Sequence, residues 1–271
     1  MTPHRDGPLG VFDSGLGGLT VVRALRARCP NESIVYLGDT ARVPYGTRSP
    51  ETVIRYALGC ARVLQKHDVK AIVVACNTVS AVAIEALRVE LDLPVLGVIN
   101  PGARAAVSVS GDHPIGVLAT AGTIASGAYP RAIMALSTRA FVIAQSAPLL
   151  VALAEEGWVS GTVPELVVRR YLEPVIAQGA RTIVLGCTHY PLLREVFESQ
   201  ARALAGHDVR IVDSAEAAAS DVAAFLEERN LSSTRTEPKL ELLVTDMPKS
   251  FSDMASRFLG HAVDDARAID L

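Results

Sequence analysis

The chain has 271 residues, 49% of them hydrophobic and 20% charged, with a formal net charge of −3. That length and mix suit two modest domains or one large one with a sizeable core, and the slight acidity implies no basic face of the kind nucleic acid needs. The opening MTPHRDGPLG has no apolar h-region, so no signal peptide is expected, and no apolar stretch is long enough to span a membrane.

A first strand is expected near Leu9–Phe12, leading into DSGLGGLTV. Arg23, Arg26 and Arg28 follow at helical spacing and read as a solvated helix face. Cys29, before Pro30 at a helix end, reads as structural. A second strand near Ile34–Leu37 leads into GDTARVPYG (Gly38–Gly46), where Pro44, Tyr45 and Gly46 fix a turn and leave backbone N–H groups to meet a ligand. PETVIRYALGCARVLQKHD is an amphipathic helix with Pro50 at its start. Cys60 lies on its apolar stripe with Val53, Ala57 and Leu64, the place of a small hydrophobe. Five further strands are expected in KAIVVACN, PVLGVIN, PIGVLATAG, RTIVLGCT and VRIVDSA. All are apolar on both faces and rich in β-branched residues, as parallel strands covered by helices should be. The expected fold class is α/β, doubly wound, with mostly parallel sheets.

Two matches suggest an internal repeat. GVFDSGLGG (Gly10–Gly18) is similar to GVLATAGTI (Gly116–Ile124), and AIVVACNT (Ala71–Thr78) to TIVLGCTH (Thr182–His189), at nearly the same offset. Two pseudo-symmetric halves with a cleft between them would explain both. In open α/β sheets ligands bind beyond the carboxyl ends of strands, and that is where Cys76 and Cys187 fall.

DSGLGGLTV invites a dinucleotide reading, with Asp39 ending the next strand where a ribose-binding acid belongs. The fingerprint is incomplete, because Gly15, Gly17 and Gly18 give G-x-G-G and Thr20 stands where the last glycine should be. Asp13 would also point its charge at a pyrophosphate. An amino-acid carboxylate is an equally good guest at that helix start.

The four cysteines form no CxxC pair and no zinc spacing, so free thiols in a reducing cytoplasm are expected. Cys76 and Cys187 differ from the other two in ending strands and preceding hydrogen-bonding residues at expected helix starts. There the helix dipole and local donors are expected to lower a thiol pKa. His189 is a proton partner two residues from Cys187. A Cys–His hydrolase would use that pair and leave Cys76 idle. Inversion of a carbon centre needs both thiols, one to remove a proton from one face and one to deliver a proton to the other. Asn77, Thr78 and Thr188 are donors suited to a developing carbanion. None of these motifs contains a lysine for a Schiff base, so no cofactor is expected; no metal site is expected either.

FDSGLGGLTV, GDTARVPYG, ACNT, GVLATAGTI, LGCTHYP and VDSA, in that order, strongly resemble the motifs of glutamate racemases, from Val11 to the region of Asp213. CNT or GCT alone would be shared with aspartate racemases. The resemblance implies a cofactor-independent enzyme interconverting L- and D-glutamate, the latter for bacterial peptidoglycan. It implies that Cys76 and Cys187 are the acid/base thiols, assisted by Asp13 and His189. Asp13, Ser14, Tyr45, Gly46, Asn77, Thr78, Thr120, Thr188 and His189 would hold the substrate. It implies two α/β domains, one of residues 1–97 and 209–271 and the other of 98–208, and a homodimer. Some family members answer to a cell-wall precursor or bind DNA gyrase, and no residue here identifies either property. Glu156, in EEGW, is weighed as an acid near the cleft against a plain exposed glutamate.

Overall fold

The computed structural model describes residues 4–246, 251–263 and 266–271. The chain begins β1 (Leu9–Asp13), α1 (Leu19–Arg28), β2 (Ile34–Gly38), α2 (Pro50–Gln65), β3 (Ala71–Val74), α3 (Asn77–Val82), α4 (Ile84–Glu90), β4 (Val95–Gly97) and α5 (Ile99–Ser110). It continues β5 (Ile115–Ala119), α6 (Ala121–Ser126), α7 (Ala128–Leu136), β6 (Val142–Ser146), α8 (Leu149–Glu156), α9 (Thr162–Ile176) and β7 (Thr182–Gly186). A 3-10 turn (Tyr190–Leu193) precedes α10 (Arg194–Ala205), β8 (Arg210–Asp213), α11 (Ser214–Glu228), β9 (Leu240–Val244), α12 (Phe251–Leu259) and β10 (Arg267–Ala268).

The strands form two sheets, of order β10-β9-β2-β1-β3-β4 and β6-β5-β7-β8. Every pairing among the described residues is parallel. The expected repeat is visible in this topology, since β2-β1-β3-β4 and β6-β5-β7-β8 are the same arrangement. Leu9 pairs with Ile34 and Ala71 just as Ile115 pairs with Val142 and Thr182. Side-chain alternation explains the layering. In the first sheet Leu9, Val11, Ala71 and Val73 join the core under α1, α11 and α12, whereas Phe12, Ile72 and Val74 join the core under α2, α3 and α4. In the second, Leu118, Ile183 and Leu185 face one core and Ile115, Val117 and Val184 the other.

The seven expected strands are present, and β6, β9 and β10 add to them. β6 lies at a sheet edge with mostly part-exposed residues, so it lacks the two-faced apolar pattern that marks the others. The expected return to the first sheet at residue 209 falls too early. β8 continues the ladder beside β7, with Ile183 opposite Ile211 and Val184 opposite Val212, so the chain stays with the second sheet through Asp213.

The N-terminal segment and the connection that follows α11 are both fastened to the first sheet by a buried ion pair. Lys70 Nζ lies 2.5 Å from Glu32 Oε2 and donates to the carbonyls of Arg5 and Leu231 at 2.8 and 2.7 Å. Glu32 Oε1 accepts from the Ser233 N–H at 2.8 Å. Removing one partner strands the other charge in the core, so Lys70→Ala is expected to cost about 3–5 kcal/mol in urea denaturation. A loss within experimental error would show that water reaches Glu32.

Candidate active site

The carboxyl ends of β1, β3, β5 and β7 meet where the two sheets face each other. Cys76 is the residue before α3, whose extended backbone starts that helix, as expected. Cys187 follows β7 directly, but what comes after Thr188 and His189 is the 3-10 turn and not an α-helix. Both thiols are buried, and both are free of disulfides.

The expected lowering of the thiol pKa is not met at Cys76. Burial pushes it up to about 12, with the Asp13 carboxyl adding to the rise, the Ser14 hydroxyl and the Val79 N–H opposing it, and Cys187 adding a little more. Desolvation of the thiolate therefore outweighs the donors at the helix start, and Cys76 is a thiol at neutral pH. It donates to Ser14 Oγ at 3.5 Å.

Asp13 is buried at the end of β1, and burial raises its pKa, against the pull of His189 and of the Gly18, Gly15 and Ser14 N–H groups. The Gly15 N–H donates to its Oδ2 at 3.0 Å. Its Oδ1, also buried, has no hydrogen-bond partner among the described residues.

On the other wall, His189 Nδ1 stands 3.7 Å from Cys187 Sγ and 3.4 Å from Thr188 Oγ1, and Nε2 stands 3.1 Å from Glu155 Oε1. Burial works against the imidazolium, but the hydrogen bonds to Cys187 and Glu155 prevail and raise its pKa to about 10. These partners favour the imidazolium, the form that can donate from both nitrogens. Glu155 is the acid that sequence reasoning missed. Its neighbour Glu156, the residue weighed there, is exposed. The Phe258 ring meets His189 edge-on, with centroids 5.2 Å apart.

Three threonines close the space between the halves. Thr78 Oγ1 lies 2.9 Å from Thr120 Oγ1 and 3.2 Å from Thr123 Oγ1, and the last two are 3.0 Å apart. Thr120 is the N-cap of α6, and the capping position three residues on was the available signal for Thr123. Gly46 lies against Thr120, where a Cβ would come within 3.0 Å of the Thr120 Cβ, and its carbonyl accepts from the Gly122 N–H at 2.9 Å.

Two expected substrate ligands have side chains already engaged. The Tyr45 hydroxyl donates to Asp39 Oδ2, and its ring lies in the core under α2. Asn77 Oδ1 accepts from the Tyr129 hydroxyl at 2.7 Å, and Nδ2 donates to Ser214 Oγ at 3.5 Å.

The glycine motif does not have the form of a pyrophosphate cradle. A Cβ on Gly17 would lie 2.5 Å from His189 Nδ1 and closer still to Thr188 Oγ1, so the second half fills the space above it. Thr20 Oγ1 donates to the Thr188 carbonyl at 2.9 Å across the same seam. Asp39, cast as a ribose acid, accepts instead from Arg42 Nε at 2.6 Å, from Thr245 Oγ1 at 2.9 Å and from Tyr45. Among the described residues no group of three or more His, Cys, Asp or Glu side chains is placed to hold a metal, and no helix is long and apolar enough to cross a membrane.

Cys187, His189 and Glu155 alone would fit a nucleophile, base and orienting acid. Cys76 with Asp13 on the facing wall has no part in such a reaction. Comparison with known proteins separates the two. Residues 19–222 match the family model of Asp/Glu/Hydantoin racemases. Glutamate racemase of Syntrophus aciditrophicus is 45% identical over 265 residues, 97% of each chain. A crystal structure of a glutamate racemase isoform from Bacillus anthracis superposes with a TM-score of 0.91 at 37% identity, covering 99% of each chain. Glutamate racemase of Francisella tularensis, solved in complex with D-glutamate, gives 0.89 at 35% identity over 98% of each. The chain belongs to the Asp/Glu/Hydantoin racemase family and, within it, to the glutamate racemases.

Proposed function

We propose that the chain racemises glutamate between Cys76 and Cys187 without a cofactor. The observation that carries this reading is the pair of buried thiols on facing walls, each at the end of the equivalent strand of a repeated half. A planar carbanion between them can be protonated from either side, and each thiol can reach one face of Cα. By the resemblance, Cys187 takes the proton from L-glutamate and Cys76 takes it from D-glutamate.

A glutamate Cα–H is a very weak acid, and a thiolate alone is a poor match for it. His189, between Cys187 Sγ and the Glu155 carboxylate, is the proton partner of Cys187. On the Cys76 side the substrate ammonium supplies the missing positive charge: beside Asp13 it favours both the carboxylate and the Cys76 thiolate. Ser14, Gly46, Thr78, Thr120 and Thr188 surround the substrate, with Thr123 joining the threonine cluster, and their hydroxyl and backbone N–H groups favour charge developing on the α-carboxylate. Tyr45 and Asn77 hold the walls in place through Asp39, Tyr129 and Ser214. Lys70 precedes β3 and lies at the opposite end of that strand from Cys76, which supports proton transfer without a Schiff base.

The same reading treats the two sheets as two domains, of residues 1–97 with 214–271 and of 98–213, and places the enzyme in the cytoplasm supplying D-glutamate for peptidoglycan. It includes a homodimer, for which the exposed Met134, Leu136 and Phe141 beside the β6 edge offer apolar surface.

Deuterium tests the two-thiol geometry. In deuterated water, product formed from either enantiomer during the first turnovers should carry deuterium at Cα, because the delivering thiol has exchanged with solvent. The remaining starting enantiomer should carry much less. Mass spectrometry showing product largely free of deuterium would overturn the reading, since one thiol would then serve both faces.

A further inference from the structure

α12 belongs to the first half. Its Phe251, Ala255, Phe258 and Leu259 are buried in the same core as Val22 and Leu25 of α1. Two of its residues nonetheless end on the second half, at the group that assists Cys187. The fully buried Phe258 ring meets the His189 imidazole at an interplanar angle of 83°. Arg257 Nη1 donates to the backbone carbonyl of Glu155 at 2.6 Å. Its guanidinium lies so close over Gly157 that a Cβ there would come within 2.9 Å of Arg257 Cζ. Gly157, with φ of +75°, is the left-handed residue that ends α8. The last turn of α8, which carries Glu155, is therefore gripped from the opposite half.

We propose that Arg257 and Phe258 are positioning residues for the proton transfer at Cys187. Phe258 fixes the plane of the His189 ring, and Arg257 fixes the end of α8 so that the Glu155 carboxylate meets His189 Nε2. The physical need is clear from the chain of contacts. His189 makes its hydrogen bonds from nitrogens on opposite sides of one ring, to Cys187 and Thr188 on one and to Glu155 on the other, and a small rotation of that ring disturbs both sides. Because the partners lie on different halves, this alignment exists only while the halves are apposed. The acid/base group on the Cys187 wall is then assembled by the same approach that encloses the substrate. This inference rests on the role proposed above for Cys187.

The test compares Phe258→Leu, Arg257→Gln and Arg257→Lys with the parent enzyme. A one-ångström displacement of an acid/base group can cost about 10²-fold, and the partial loosening here is expected to lower kcat about tenfold in Phe258→Leu and Arg257→Gln, with KM nearly unchanged. Arg257→Lys keeps a donor to the Glu155 carbonyl and should recover part of the loss. Nitrogen-15 NMR of histidine-labelled protein, with His189 assigned by its disappearance in His189→Asn, should show the ring nitrogens shifting in the two damaging variants. A purely structural helix would lower the melting temperature and leave both the His189 resonances and kcat per folded enzyme unchanged. That result would overturn the proposal. Activity surviving in Cys187→Ala would instead overturn the role of Cys187 itself, and is measured separately.

Discussion

Alanine at either Cys76 or Cys187 is expected to stop racemisation starting from either enantiomer, whereas Cys60→Ala should retain most of it. Each thiol is the base in one direction and the acid in the other, so removing one deprives both directions of a required proton transfer. General acid–base steps contribute typically about 10²–10⁴-fold, and a fall of at least that size is expected in optical assays with L- and with D-glutamate. Cys60 is the control because it is buried in α2 among apolar side chains, and burial pushes its thiol up to about 12 as it does that of Cys76. A high thiol pKa is therefore no mark of chemistry here; what differs is that Cys76 stands at a strand end facing the second half. If Cys76→Ala kept substantial activity while Cys187→Ala lost it, the Cys187–His189–Glu155 chain would be acting alone, and the two-thiol account would fail.

Alanine at Gly17 is expected to lower activity sharply. The new Cβ would overlap Thr188 and His189 together, and neither can withdraw freely. The Thr188 carbonyl is held by Thr20, and His189 is held by Glu155 and Phe258. Relief requires the two halves to part or His189 to leave Cys187. Either moves an acid/base group by an ångström or so, for an expected loss of about 10²-fold in kcat/KM. Thermal unfolding should change far less than activity, since the overlap is at the seam and not within either core. Near-parental kcat/KM in a well-folded Gly17→Ala enzyme would show that the halves sit farther apart during turnover.

The sequence revealed most where a residue's environment repeats along the chain. β1 to β5, β7 and β8 were legible because strands covered on both faces are apolar throughout, and the two cysteines were legible because the strand that carries them occurs twice. Side-chain direction was less legible. Tyr45 and Asn77 sit in motifs rich in site residues, yet their polar atoms turn to Asp39, Tyr129 and Ser214. Glu155 and Glu156 are adjacent in a helix, and which one faces His189 is decided by how the end of α8 is set against α12. That contact joins residues about a hundred positions apart and leaves no local pattern. The unmet expectation at Cys76 has the same origin: a helix start is visible in sequence, whereas the depth of burial that outweighs it is not.

The duplicated scaffold is furnished unequally. Asp13 ends β1, while the equivalent last residue of β5 is Ala119; two residues after Cys187 stands His189, with Glu155 beyond it, while two residues after Cys76 stands Thr78. The two enantiomers of glutamate have identical free energies in water, so the ratio of kcat/KM for the two directions is unity whatever lines the walls. An enzyme with unlike walls must obey this as strictly as one with mirror-image walls. The lopsidedness can therefore appear only in how each direction divides between saturation and turnover: the enantiomer bound more tightly must also be converted more slowly once bound. Unequal furnishing makes the site a better reservoir for one hand of the amino acid and leaves the final mixture untouched.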